Sequence, residues 1–358
     1  MVLSSTFYQR HIFTMELKLL GLADTHLKES NKEIVISIFK QAVTIAKKHQ
    51  LKRIYHLGDI FNSRKAQSQE VLLAFKEILD MLASEDISLV AIPGNHDKTD
   101  YSSWDSFLDP FNEHSAFSLI KQSAVGYENS MNLFFIPYIE PQQYIDALTK
   151  LTKVKESGFK CLLTHIDING AVMNNGSVIQ NPITTDLFKA FDKVIVGHYH
   201  DKQTLQPNIH FVGASLQHSF GEAADKGMWG LTTTYELVHI PLSFPQYITQ
   251  RIDAASFKPA DVKNLLKNKK GDNKVRVILE GDEASLKSFD KEQLLTNGIA
   301  IKLEKKAVNK VKEEEEGELI IGMDSLSIVG QFESFCKEKE LEYKVGVQYL
   351  KQALQQTV

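Results

Sequence analysis

Five short segments set Asp, His and Asn where they could hold divalent ions: Asp24-Thr25-His26, Gly58-Asp59-Ile60-Phe61, Gly94-Asn95-His96-Asp97, Thr164-His165 and Gly197-His198-Tyr199-His200. Carboxylate and amide oxygens mixed with imidazole nitrogens, without thiolates, suit Mn2+, Fe2+ or Zn2+ at a reactive centre better than a cysteine-type structural zinc. An aspartate has an oxygen for each of two ions, and two ions roughly 3.5–4 Å apart can clamp a phosphate for in-line attack. The chemistry this predicts is phosphoester hydrolysis. The glycines before Asp59, Asn95 and His198 are expected to turn the backbone sharply so that the next side chain enters the site. An isolated Asp-x-His carries little information, and a lone His165 is more often a core or surface histidine. Gly-Asn-His-Asp and Gly-His-x-His directly after apolar runs are far more specific, and all of these motifs in one order are a rare coincidence.

Each motif closes a stretch that has the pattern of a strand. Residues 17–23, 52–57 and 87–92 read as strands, the first and last largely apolar. Between them, Val35, Ile38, Phe39, Ala42, Ile45 and Ala46 recur at helical spacing, as do Val71, Leu72, Phe75, Ile78, Leu79 and Leu82, with Ser68 as N-cap. This β-α-β-α-β rhythm predicts a parallel sheet covered by helices. Ligands of such sheets lie beyond the carboxyl ends of the strands, where the motifs stand. Further strands are expected at 132–137, 159–164, 193–196, 209–212 and 228–234, completing an α/β fold, a two-sheet α/β/β/α sandwich over residues 15–245. Beyond Pro241 and Pro245, strands at 246–252, 274–279 and 299–303 alternate with helices at 259–266 and 283–295, a small α+β unit over 246–306. A charged linker (307–326) follows, containing Glu313 to Glu316. Residues 327–358 carry Ile328, Phe332, Phe335, Leu341, Tyr343 and Val347, and form helices that either pack on their own domain or dock a partner.

Composition sets the outer bounds. A chain of 358 residues has room for two domains and an appendage, and its 43% hydrophobic and 24% charged residues are ordinary for a soluble globular protein. No apolar run reaches the ~20 residues of a membrane span. The net charge of −4 does not advertise a nucleic-acid binder, yet bound cations and a local basic face are compatible with it. Cys161 and Cys336 make neither a disulfide framework nor a thiolate cage, so a reducing cytoplasm is expected, with Cys161 a buried structural thiol. Residues 1–14 lack the apolar core of a secretory signal and read as a loose tail, with Met15 an alternative start.

Together the motifs resemble the calcineurin-like metallophosphoesterases, and within them the SbcD-type double-strand-break repair nucleases and their phage recombination relatives. The narrower likeness rests on a helix-forming stretch at 104–111 after Gly94-Asn95-His96-Asp97. It rests also on the run Gly213-Ala214-Ser215 through His218-Ser219-Phe220-Gly221-Glu222 to Lys226-Gly227, and on a small capping domain behind the catalytic one. It covers about residues 15–305, and the tail more loosely. The resemblance implies that Asp24, His26 and His200 hold one ion and Asn95, His165 and His198 the other, with Asp59 bridging and manganese preferred. It implies that His96 stands beside the scissile phosphate, stabilising its charge and assisting the leaving oxygen, and that Asp97 orients His96.

One departure concerns the position after Phe61, where many members carry histidine. Here it is Asn62, followed by Ser63-Arg64-Lys65-Ala66, and phage-like members often carry Arg-Lys-Ala. Arg64 and Lys65 are candidates for DNA-phosphate contacts, or are ordinary surface charges. The resemblance further implies DNA as substrate and an SbcC-type ABC/SMC-like ATPase docked on residues 327–358. It also implies a homodimer, for which residues 71–82 and 104–111 are candidates unless they pack on the chain's own sheet. The implied activities are Mn2+-dependent 3′→5′ double-strand exonuclease and single-strand endonuclease. A phosphomonoesterase or cyclic-nucleotide phosphodiesterase on the same fold is the competing enzyme reading, and a non-enzymatic scaffold at DNA ends the third.

Overall fold

The central strands of the two large sheets are apolar on both faces, so each must be covered twice. In the computed structural model, which describes residues 15–173, 176–289 and 291–305, β1 (Leu17–Leu22) points Leu19 to one side and Leu20 and Leu22 to the other. The expected tail at 1–14, the linker at 307–326 and the segment 327–358 lie outside the described residues. In chain order the elements after β1 are α1 (Lys32–Lys48), β2 (Arg53–His56), α2 (Gln69–Ser84), β3 (Ser88–Ala91), β4 (Phe117–Leu119), β5 (Ala124–Glu128), β6 (Met131–Ile136), α3 (Pro141–Thr152), β7 (Phe159–His165) and β8 (Lys193–Gly197). Then come β9 (Gln203–Gln206), β10 (Ile209–Phe211), β11 (Gly227–Thr232), β12 (Leu237–Pro241), β13 (Tyr247–Asp253), α4 (Pro259–Asn268), β14 (Lys274–Gly281), α5 (Glu283–Ser288), α6 (Glu292–Thr296) and β15 (Ala300–Lys305).

One sheet has the order β12-β11-β1-β2-β3-β4, parallel from β1 to β4, and a second the order β5-β6-β7-β8-β10-β9, parallel from β6 through β10. Leu19, Tyr55, Val90, Leu133, Cys161, Leu163 and Ile195 fill the space between the sheets, so Cys161 is the buried thiol its apolar surroundings predict. The alternate residues of the same strands face outward under helices. Leu20, Ile54 and Leu89 meet α1 and α2, while Phe134, Leu162 and Val194 meet α3. This is the four-layer α/β/β/α sandwich. Ser68 caps α2, its hydroxyl accepting from the Val71 N–H. Helix α3, unassigned from the sequence, starts on Pro141 and buries Tyr144, Ala147, Leu148 and Leu151.

Three expectations need correction. The apolar stripe of α2 is buried in its own core, leaving Leu73 as the exposed large apolar side chain of that helix, so the stripe itself is no dimer face. The 104–111 stretch is turns with one 3-10 turn at Asp109–Phe111, because Trp104 packs toward one helical layer while Phe107 and Phe111 pack toward the other. The third sheet, β13-β14-β15, is all parallel and carries its own cluster of Val262, Leu265, Val277, Leu279, Leu286 and Ile299. The single helix expected over 283–295 is broken into α5 and α6, since Phe289 turns extended and sets its ring edge-on to Phe257 at 4.8 Å.

Candidate metal centre

The parallel strands β1, β2, β3, β7 and β8 end at one rim, and His165 at the end of β7 together with the loops that leave the others carry the seven expected ligands. Asp24, His26 and Asp59 have φ of 52°, 43° and 55°, and His198 has φ of 100°, a region that costs a side-chain-bearing residue about 1–3 kcal/mol. Backbone pairing holds the first loops there: the Asp24 N–H donates to Gly58 O (3.0 Å), that of His26 to Asp59 O (3.0 Å) and that of Leu27 to Ile60 O (2.7 Å). Of the three glycines expected to turn the chain, only Gly58 has positive φ. Gly94 and Gly197 are there for clearance. A Cβ on Gly94 would lie 2.2 Å from Asp59 Oδ1, and one on Gly197 2.4 Å from Leu57 O.

The protein fixes the proton on three of the histidines. His165 Nδ1–H donates to Leu57 O (2.6 Å), His198 Nε2–H to Asp167 Oδ1 (2.9 Å) and His200 Nδ1–H to Glu222 Oε1 (3.1 Å). Each therefore turns a lone pair inward. His165 Nε2 and His198 Nδ1 stand 3.1 Å apart, and each is 3.1 Å from Asn95 Oδ1. His200 Nε2 stands 3.0 Å from His26 Nε2. Asp59 lies between the two groups, with Oδ2 3.6 Å from His26 Nε2 and Oδ1 3.5 Å from His165 Nε2. The lone pairs of His165 Nε2, His198 Nδ1 and Asn95 Oδ1 facing one another at these distances repel unless a cation sits among them, and with Asp59 between the two groups the donor set fits divalent ions.

The electrostatics agree. Burial raises the Asp24 carboxyl to about 6 and lifts Asp59 well above the carboxylate range, with Asp24 and Asp97 adding repulsion to Asp59. Burial also drives His26 and His165 well below the usual imidazole value. Buried acids that resist ionising beside imidazoles that resist protonation lack positive charge. The Asn95 amide shows the same want. Reversed, its NH2 donates to Asp59 Oδ2 (3.2 Å), His198 Nδ1 and His165 Nε2 (3.1 Å each), filling the place of a cation.

His96 stands at the mouth, its N–H donating to Asp59 Oδ1 (2.8 Å) and its Nδ1–H to Asn62 O (2.6 Å). Its Nε2 accepts from Arg64 Nη2 (2.8 Å). Asp97 does not touch the His96 ring, contrary to the expected orienting contact. It accepts from the backbone N–H groups of Phe61 (2.9 Å), Gly94 (2.8 Å) and Ile60 (3.3 Å), tying the β2 and β3 loops together. The physical reason is satisfaction: a buried carboxylate beside three unpaired N–H groups is better served by them than by one imidazole. Arg64 lines a cavity of about 380 Å³ with Asp59, His96, His198, Tyr199 and His200, whereas Lys65 is exposed and outside that lining.

Four residues at the site were not singled out from the sequence for these contacts. Asp167, held down at about 2 by His198 and Tyr199 against its burial, sits two positions after His165, a spacing that could have flagged it. Glu222 is likewise held at about 2, by His200 against its own burial. His218 donates from Nε2 to Asp24 O (2.8 Å), and its ring lies 4.8 Å from that of His26. Lys226, 1% exposed at its side chain, donates to His200 O and to Asp201 Oδ1 (2.6 Å). The last three fall in the 213–227 run that carried the family likeness.

Among the described residues no helix is long and apolar enough to cross a membrane. The chain is 23% identical over 287 residues to a protein of Invertebrate iridescent virus 6 designated only as a phosphoesterase, 244L, covering 78% of this chain and 99% of that one. Exonuclease subunit 1 of Enterobacteria phage T4 is 24% identical, covering 62% of this chain and 66% of its own. The DNA double-strand break repair protein Mre11 of Sulfolobus acidocaldarius is 29% identical, covering 52% and 50%. The family model described as calcineurin-like phosphoesterase matches residues 17–202, more than half of the chain. With that match laid over a rim whose Asp and His groups could hold metal ions, the chain belongs to the calcineurin-like phosphoesterase family.

Proposed function

We propose that the chain is the nuclease subunit of a DNA repair or recombination complex of the SbcCD kind. It would hydrolyse phosphodiester bonds as a 3′→5′ double-strand exonuclease and a single-strand endonuclease in the cytoplasm, or in the host cytoplasm if phage-encoded. The observation that carries the reading is Asp59, whose two oxygens face two separate histidine-rich donor groups. An exonuclease subunit and a DNA double-strand break repair protein among the relatives support the substrate class.

By the family resemblance Asp24, His26 and His200 would make one donor group and Asn95, His165 and His198 the other; the structure sets His26 and His200 together with His218. Divalent ions in such a pair, Mn2+ by family resemblance, supply charge that polarises a phosphoryl group and acidifies water. The chain's own groups place and protonate. Asp97 holds the β2 and β3 loops in register, Asp167 and Glu222 keep His198 and His200 in the tautomers that face inward, and His96 stands over Asp59. In the reaction a water oxygen bonds to phosphorus as the bond from phosphorus to the sugar oxygen breaks. The attacking water gives up one proton to solvent and the departing sugar oxygen takes one, so the protons balance. With Nδ1–H committed to Asn62 O and Nε2 an acceptor at rest, Nε2 is the His96 atom that would first take up a proton from solvent and then pass it to the leaving oxygen.

An SbcC-type ATPase is the proposed partner, docked on residues 327–358. Deleting 325–358 is expected to abolish co-purification with it, and survival of co-purification removes the idea. A homodimer through α2 would have to use Leu73 and the helix's outward face. The alternative, a phosphomonoesterase or cyclic-nucleotide phosphodiesterase, stays compatible with a relative covering 78% of this chain that is designated only as a phosphoesterase. Purified protein with Mn2+ is expected to degrade end-labelled duplex DNA, and His96→Ala to stop this while retaining metal. Hydrolysis of nitrophenyl phosphate alone, with DNA intact, overturns the nuclease reading.

A further inference from the structure

Four arginines lie among the described residues, and three are committed. Arg53 pairs with Glu128 (3.1 Å), Arg251 with Glu280 and with Glu304 (2.7 Å), and Arg276 donates to Phe220 O (3.2 Å) and Thr249 Oγ1 (3.1 Å). Arg64 is different. It is exposed, forms no ion pair with a carboxylate among the described residues, and faces the cleft beside Asp59. Its partner is a neutral acceptor, His96 Nε2, at 2.8 Å. A guanidinium has five N–H donors in a planar fork suited to two oxygens of one phosphate, and one imidazole lone pair leaves most of them unused.

The Asn95 amide adds a second, independent observation. Turned with its oxygen outward, it accepts from Arg64 Nη2 at 2.5 Å. Turned with its oxygen inward, toward His165 and His198, it sets its NH2 against that guanidinium, donor against donor. A cation among the inward lone pairs selects the second orientation. Filling the centre therefore removes an acceptor from Arg64 at the moment the site becomes competent.

We infer that Arg64 is the phosphate clamp of this site: it rests on His96 Nε2 when the cleft is empty and transfers to the non-bridging oxygens of the scissile phosphate when substrate enters. The transfer does two things. It places a fixed positive charge on the phosphoryl group, and it uncovers His96 Nε2 for the leaving group's proton. Asn62, at the position where many family members have histidine, contributes only its backbone carbonyl, so in this chain the side-chain cation at the mouth comes from Arg64. Lys65, outside the cavity lining, has no such part.

This inference rests on the phosphodiesterase reading, and its test separates the two. Inorganic phosphate binding is measured by calorimetry on manganese-loaded wild-type protein and on Arg64→Ala, Arg64→Lys and Lys65→Ala. Steady-state hydrolysis of bis-nitrophenyl phosphate and of an end-labelled oligonucleotide is followed in parallel, with metal content and melting temperature recorded. Arg64→Ala is expected to weaken phosphate binding at least about 10-fold and to lower kcat/KM by about 100-fold, with two metal equivalents and an unchanged melt. Free guanidinium is expected to restore part of the loss, Arg64→Lys to fall between, and Lys65→Ala to stay within about threefold of wild type. Phosphate affinity within about twofold of wild type in Arg64→Ala overturns the clamp, and so does a loss that tracks missing metal. A wild-type protein inert toward the oligonucleotide defeats the nuclease reading, while the phosphate calorimetry still decides Arg64.

Discussion

Gly94→Ala adds one methyl group where the structure has no room for it. A Cβ at that position lies 2.2 Å from Asp59 Oδ1, 2.4 Å from the Asp59 nitrogen and 2.8 Å from His165 Cε1. Gly94 is not among the positive-φ glycines, so alanine can adopt its backbone and the effect is steric alone. Carbon–oxygen contacts become repulsive well inside the ~3.5 Å optimum, so the β2 and β3 loops have to part by roughly 1 Å. Metal–ligand distances tolerate only about 0.2 Å. Because Asp59 faces both donor groups, its displacement is expected to weaken both ions, by about 10–100-fold each, and the overpacking to cost about 1–3 kcal/mol of stability. Calorimetric titration of Mn2+ into chelator-stripped protein reads the first quantity, and denaturant unfolding of the stripped protein the second. Wild type is also expected to gain melting temperature with Mn2+, and the variant to gain little. Gly126→Ala is the control, since its Cβ meets Phe135 Cε2 at an ordinary 3.6 Å. Two manganese equivalents bound by Gly94→Ala at wild-type affinity would refute the close approach of Gly94 to a shared Asp59 as the basis of the centre.

Two further outcomes test the supports of the site and the buried charge balance. Glu222→Gln removes the charge 3.1 Å from His200 Nδ1 and is expected to weaken one metal-binding step about 10-fold or more while leaving the other near wild type; equal loss in both steps contradicts the separation of the donor groups. His56 is buried, its Nε2–H donates to Thr25 Oγ1 (3.1 Å), and desolvation lowers it from 6.5 to about 3. Its folded form is neutral, so the unfolded chain binds the extra proton between those values: its contribution is complete above pH 6.5 and is lost as pH falls below it, by about 1.4 kcal/mol per pH unit. Metal-free His56→Gln is expected to lose about 2 kcal/mol less than wild type between pH 7.5 and pH 5.0 in denaturant unfolding, and parallel losses in the two proteins contradict this.

The sheet architecture could be read ahead of the structure because apolar alternation has a period that needs no distant partner. Residues such as Leu19 and Leu20 announce a strand covered on both sides, and the α1 and α2 stripes announce their helices. Helix α3 escaped although Tyr144, Ala147, Leu148 and Leu151 have helical spacing, and α5 and α6 were run together because Phe289 leaves the helix for Phe257, a contact that helical spacing does not contain. The ligand motifs were legible for the same local reason: each follows its strand within a few residues, so chain direction alone brings it to the carboxyl edge.

What the sequence determined by itself is therefore the set of donor types and the rim on which they stand. Only the tertiary structure decided how those donors are armed. The protons of His165, His198 and His200 are set by Leu57 O, Asp167 and Glu222, the ring of His96 by Asn62 O rather than Asp97, and the resting place of Arg64 by His96. The physical reason is that a hydrogen bond between loops depends on distances across space, which no spacing along the chain specifies, whereas strand and helix periodicities are properties of consecutive residues.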